Sequence, residues 1–165
     1  MASDSIDPSV FSPDIREFIA LLGRHQVQYV IVGGEAVIFH GHARLTGDVD
    51  FFYDAAPDNA RRLYAALEEF WAGRIPAIAR WEELTEAGLV VQFGVPPNRL
   101  DLLNRIDGVA FQDAWRNRVR VAMPLGAGTV DVFLIGLDDL IKNKAAVGRP
   151  KDVEDLAFLQ RARGG

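Results

Sequence analysis

Apolar residues recur at helical spacing directly after Ser12-Pro13-Asp14, at Ile15, Phe18, Ile19 and Leu22, and Gly23 follows as a stop. A hydroxyl cap, proline at the first helical position and an acid in the first turn mark a helix start. The β-branched run Gln28-Tyr29-Val30-Ile31-Val32 ends at Gly33-Gly34, which predicts a buried strand, a tight turn and a short helix over 35–40. Asp48-Val49-Asp50-Phe51-Phe52-Tyr53 predicts a second strand. Residues 57–71 predict an amphipathic helix with Leu63, Leu67 and Phe70 on one stripe. Residues 74–88 are ambiguous, with a short helix expected over 81–86. Strands are expected at 89–93 and 99–104, and a hairpin pairs 119–123 with 129–134 across Pro124-Leu125-Gly126-Ala127-Gly128. Helices over 137–147 and 150–161 close the chain. The order predicts an α+β fold, a small mixed β-sheet with helices packed on it, rather than a regular βαβ repeat.

Composition narrows the class. The chain has 165 residues, 49% of them hydrophobic, enough for one domain with its own core. Residues 1–12 read as a flexible arm and 13–165 as a single domain. There are no cysteines, so disulfides, thiolate zinc sites and thiol nucleophiles are excluded. Two neighbouring histidines, His40 and His42, with only distant His25 as a third, are a poor zinc set. Trp71, Trp81 and Trp115 are expected in the core or at its rim. The first fifteen residues carry acids but no Lys or Arg, the wrong charge for a targeting peptide, and no apolar run reaches the ~20 residues of a membrane helix. The expected location is cytoplasmic, with no membrane partner.

Candidate chemistry begins at Gly33-Gly34 followed by Asp48-Val49-Asp50. Strand residues two apart share a face, so Asp48 and Asp50 project side by side while Val49 turns into the core. Adjacent carboxylates repel unless a cation lies between them, and Mg²⁺ is commonly held by carboxylates together with substrate phosphates. A glycine turn opening a helix favours a phosphate. Each motif alone is common; the ordered combination is the machinery of phosphoryl or nucleotidyl transfer.

The stretch Tyr29-Val30-Ile31-Val32-Gly33-Gly34-Glu35-Ala36, with Gly41, Arg44, Thr46, Asp48 and Asp50, resembles the DNA polymerase beta nucleotidyltransferase superfamily. It is most similar to small bacterial members such as the abortive-infection type nucleotidyltransferase toxins. The run from Leu140 through Lys144, Arg149, Asp152 and Asp155 to Leu156 resembles the second signature of that group. Many superfamily members carry Gly-Ser where this chain has Gly33-Gly34. The resemblance implies a polymerase beta-like fold and a site with two Mg²⁺ ions. Asp48 and Asp50 would ligate both ions, and a third carboxylate would ligate one and deprotonate the acceptor hydroxyl. Asp101, alternating with Leu100 and Leu102, is the candidate for that role, and Asp131, in the similar run Thr129-Val130-Asp131-Val132-Phe133, is the runner-up. Gly33, Gly34, Arg44 and Lys144 would hold the NTP, and Asp152 and Asp155 share a helical face from which they could orient Lys144 or Arg149.

The function this implies is transfer of NMP from an NTP to a hydroxyl on RNA (tRNA) or protein, with the toxin half of a toxin–antitoxin pair as one setting and an antitoxin as partner. The alternative is a non-catalytic relative that binds nucleotide or a partner. Lys plus Arg total 18 against 23 Asp plus Glu, a net charge of -5, so an RNA acceptor needs a local cationic patch. Candidates are Arg61 with Arg62, the cluster Arg116, Arg118 and Arg120 read as one face of a strand, and Arg149, Lys151, Arg161 and Arg163.

Overall fold

The computed structural model describes residues 5–41, 48–95 and 98–164. Its elements in chain order are α1 (Pro13–Arg24), β1 (Tyr29–Val32), α2 (Gly33–Phe39), β2 (Asp48–Tyr53), α3 (Pro57–Phe70), β3 (Val90–Phe93), β4 (Arg99–Leu103), α4 (Phe111–Arg116), β5 (Val119–Leu125), β6 (Gly128–Leu134), α5 (Leu137–Val147) and α6 (Pro150–Gly164). Short 3-10 turns lie at Pro8–Val10 and Trp81–Thr85. The expected α+β class is the observed one.

Local signals account for most boundaries. Ser12 Oγ accepts the Ile15 N–H at 3.3 Å, with Pro13 opening α1. The helix runs one residue past Gly23, and the chain reverses instead at Gln26, whose φ is 55°. The β5–β6 hairpin is tighter than its sequence suggests: Leu125 pairs with Gly128, leaving a two-residue turn in which Gly126 has φ 60°. Residues 5–12 contact the domain at several points. Ser5 bridges to Ala122, the Ile6 N–H donates to Ala122 O at 2.9 Å, and Phe11 is buried.

The helix α4 is an addition to the sequence reading and corrects it. Phe111 and Trp115, four apart, stack with centroids 6.0 Å apart. Arg116 ends this helix, Arg118 lies in the connection and Arg120 sits on β5, so the three arginines share no strand face. Arg118 instead lies 3.7 Å over the Trp115 ring and donates to Trp115 O at 2.7 Å.

The sheet order is β3-β4-β2-β1-β6-β5. β1 pairs antiparallel with β2 and parallel with β6, β2 runs parallel to β4, and β3 and β5 close the edges antiparallel to β4 and β6. Alternation divides the side chains between two cores. Tyr29, Ile31, Val49, Phe51, Tyr53, Val91, Leu100 and Leu102 pack with α1 and α3 on one face. Val30, Val32 and Phe52 pack with α2, α4, α5 and α6 on the other. Over β2, β4 and β3 the same face carries Asp48, Asp50 and Arg99, which are half-buried, Val90 and Gln92, which are exposed, and Asp101, which is buried. The tryptophans lie at the rims of these cores, Trp71 and Trp81 on the first and Trp115 on the second.

Two buried polar groups fix the layers. Asn59 of α3 accepts the Gln28 N–H at 2.7 Å and donates to Gln28 O and Asp54 O, anchoring α3 to the ends of β1 and β2. Between α5 and α6, Lys144 Nζ lies 2.8 Å from Asp152 and 3.4 Å from Asp155, all three almost completely buried. Burial opposes the charge on Asp152, but hydrogen bonds from Arg149 and Lys144 outweigh it and hold this carboxyl at about 2. Breaking such a pair leaves an uncompensated buried charge. Lys144→Met, which strands two buried carboxylates, is therefore expected to lower unfolding free energy by about 3–5 kcal/mol in urea titrations, and replacing Asp152 and Asp155 by leucine in the same variant to recover most of that loss.

Candidate active site

Register builds the site. Asp50 lies directly opposite Asp101 on the neighbouring parallel strand, and Asp48 directly opposite Arg99. Neighbouring strands are about 4.8 Å apart, so in-register side chains on one face must meet. One carboxylate oxygen from each of Asp48, Asp50 and Asp101 lies within 4.8 Å of the others. Asp101 thus joins the pair. Asp131 does not: it is exposed on β6, paired with Arg120 at 3.3 Å. It lines a cavity of about 690 Å³ beside Gln28, at the start of β1, whereas Asp50 faces Val32 at its end.

The turn from β1 into α2 approaches these acids closely. Gly33 has φ 70°, and a Cβ there would collide with Asp50 Oδ2. Glycine is required twice over, for the backbone and for the space. The Gly33-Gly34 turn thus opens α2 against the carboxylates, and that helix has no side-chain cap. Arg44 lies outside the described residues. Lys144, expected to face the triphosphate, is enclosed by Asp152 and Asp155; its charge is nonetheless felt at Asp50.

The electrostatics follow from packing acids onto a partly buried surface. Burial, then the charges of Asp48 and Asp101, push the Asp50 carboxyl up to about 7, with Lys144 acting the other way. Burial raises Asp101 as well; Arg99 opposes this and Asp48 reinforces it. Three groups escaped the sequence reading. Glu35, in the first turn of α2, is pushed up to about 7 by burial and by Asp48. Arg99 lies 3.5 Å from Asp101 and 3.9 Å from Asp48, and Gln92, opposite Asp101 in the register, donates to it at 3.4 Å. The two-residue spacing of Arg99 and Asp101 was the available signal for Arg99.

An all-oxygen set of three converging carboxylates suits a hard divalent cation, and their mutual repulsion is what such an ion would relieve. The α+β fold, with helices packed on a six-stranded mixed sheet, is consistent with a small nucleotidyltransferase-like fold. Residues 13–159 match a family model described as a nucleotidyltransferase of unknown function (DUF6036), and the chain belongs to that family. No curated protein matches the chain. No described helix is long and apolar enough to cross a membrane.

The raised Asp50 carboxyl makes a pH prediction. Its pKa rises on folding from 3.8 to about 7, so the folded state keeps a proton that the unfolded chain releases. Stability from this group is full below pH ~4, declines as pH climbs towards 7, and is level above. In EDTA, Asp50→Asn is expected to be more stable than wild type at pH 8 by about 1–3 kcal/mol, the difference closing near pH 4 in urea titrations.

Proposed function

We propose that the protein is a divalent-metal-dependent nucleotidyltransferase that moves NMP from an NTP to a hydroxyl of RNA, such as a tRNA end, or of a protein. The observation that carries this reading is the convergence of Asp48, Asp50 and Asp101 on one face of the sheet, in a chain of a nucleotidyltransferase family. Asp48 and Asp50 would hold two Mg²⁺ ions, and Asp101 one of them. Bound ions would neutralise the triphosphate and lower the pKa of the attacking hydroxyl.

The remaining steps belong to side chains of this chain. Asp101, at the β3 side of the triad, accepts the proton of the acceptor hydroxyl. The acceptor oxygen forms a bond to the α-phosphorus, the bond from that phosphorus to its bridging oxygen breaks, and pyrophosphate leaves. The Gly33-Gly34 turn opens α2 without a side-chain cap, so backbone N–H groups there would be offered to the phosphates. Lys144 acts through its field, offsetting charge at Asp50 from a fixed position between two aspartates. Arg44 is proposed as a phosphate ligand on the resemblance alone. A toxin role with a cognate antitoxin is the biological setting the same resemblance suggests.

The test is to incubate the protein with each α-labelled NTP, Mg²⁺ and a whole-cell extract, and to follow both pyrophosphate and the label. Label is expected in RNA or protein. Asp48→Asn and Asp50→Asn should each lower transfer by about 10³-fold or more while remaining folded by circular dichroism. Asp101→Asn should lose transfer but keep NTP binding, and Asp131→Asn should retain both. NTP binding without pyrophosphate release in the wild type would instead identify a non-catalytic binder.

A further inference from the structure

Among the described residues, two of the cations near the acidic patch are held in opposite ways. Lys144 is sealed between Asp152 and Asp155 at 2.8 and 3.4 Å, with 3% of its side chain exposed. Arg99 stands on the same face opposite Asp48, with 34% exposed, its Nε 3.9 Å from Asp48 Oδ2 and 3.5 Å from Asp101 Oδ1. Charge-assisted hydrogen bonds are usually ~2.7–2.9 Å, so neither contact locks the guanidinium in place. It sits in the field of two carboxylates that are also the candidate metal ligands.

An arginine cannot shed its charge, so it opposes any divalent ion entering between the same two acids. Its long, partly exposed side chain can move outward without unpacking a core, which Lys144 cannot do. We propose that Arg99 is a displaceable counter-cation: it screens Asp48 and Asp101 when no ion is bound, yields to the ion, and then pairs with the triphosphate that the ion brings. Guanidinium suits that second task, because its fork matches phosphate oxygens bidentately. The inference rests on the metal reading above and adds to it a residue that orders the site in both states.

Isothermal titration of the metal-free protein with Mn²⁺ alone tests the first half. Arg99→Met is expected to bind Mn²⁺ about tenfold more tightly than wild type, because a positive charge near the ion is gone. Arg99→Gln serves the same purpose should the methionine variant fail to fold. The second half is tested by titrating the four ribonucleoside triphosphates in saturating Mn²⁺. Wild type should bind at least one about tenfold more tightly than Arg99→Met does, and Arg99→Lys should restore the wild-type Mn²⁺ affinity but only part of the nucleotide affinity. A residue that merely braced the strands would lower melting temperature and leave Mn²⁺ affinity unchanged or weaker; that result overturns the inference while the metal reading stands. Tighter Mn²⁺ binding with unchanged nucleotide affinity overturns the phosphate role. A wild-type protein that binds no Mn²⁺ overturns the metal reading itself, and this inference with it.

Discussion

Three carboxylates with oxygens inside 4.8 Å of one another are a fold's least comfortable arrangement, and much of this structure can be understood as holding them there. When ionised they repel one another. What fixes the cluster lies on the opposite face of the sheet, where Val49, Phe51, Leu100 and Leu102 alternate with the acids and are buried against α1 and α3. Alternation makes the two sets inseparable: burying the apolar set on one face puts Asp48, Asp50 and Asp101 together on the other. The hydrophobic core thus sets the register of the polar face. The same constraint explains Gly33, whose missing side chain leaves room for the Asp50 carboxylate.

How much of this the sequence disclosed depends on whether a feature is local. Asp48 and Asp50 share a strand, and their shared face follows from spacing alone. The α1 cap and the β2 boundaries are equally local, and the structure has them where the residues put them. Asp101 and Asp131 could not be separated so firmly, because both sit between apolar residues on strands. The sheet order decides between them: β4 lies beside β2, whereas β6 lies beyond β1. No periodicity encodes that adjacency. Glu35 was hidden for the same reason, since it acquires its meaning from an acid on another element, whereas Arg99 was legible only through its two-residue spacing from Asp101. The α4 helix was missed because the alternating arginines after it imitate a strand, while the stacking of Phe111 on Trp115 decides the backbone.

Burial also separates residues that sequence treats alike. Lys144 and Arg99 are both basic residues near the acids. Lys144 is enclosed and doubly paired, so its contribution at Asp50 is a fixed field and a bond between α5 and α6. Arg99 is loosely held and partly solvated, so its position can respond to what enters. An ionic group serves as scaffold when its desolvation has been compensated by partners, and as a responsive element when it has not.

The acceptor side follows the same logic. Four of the surface arginines first considered for RNA are paired with acids: Arg61 with Asp58, and also over Trp81, Arg116 with Asp113, Arg120 with Asp131, and Arg163 with Asp138. With a net charge of -5, no free basic stripe is needed to balance the molecule. Pairing does not disqualify these arginines, because exposed ion pairs are worth only about 0–1 kcal/mol and a phosphate can take the carboxylate's place. It does change what recognition must be. An RNA would bind by exchanging one anion for another at several sites, so much of its gain would come from displaced counterions and would weaken as salt rises. A protein acceptor with its own basic residues would meet the acids instead, Asp58, Asp113 and Asp138, and would be steered by the molecule's overall charge rather than against it.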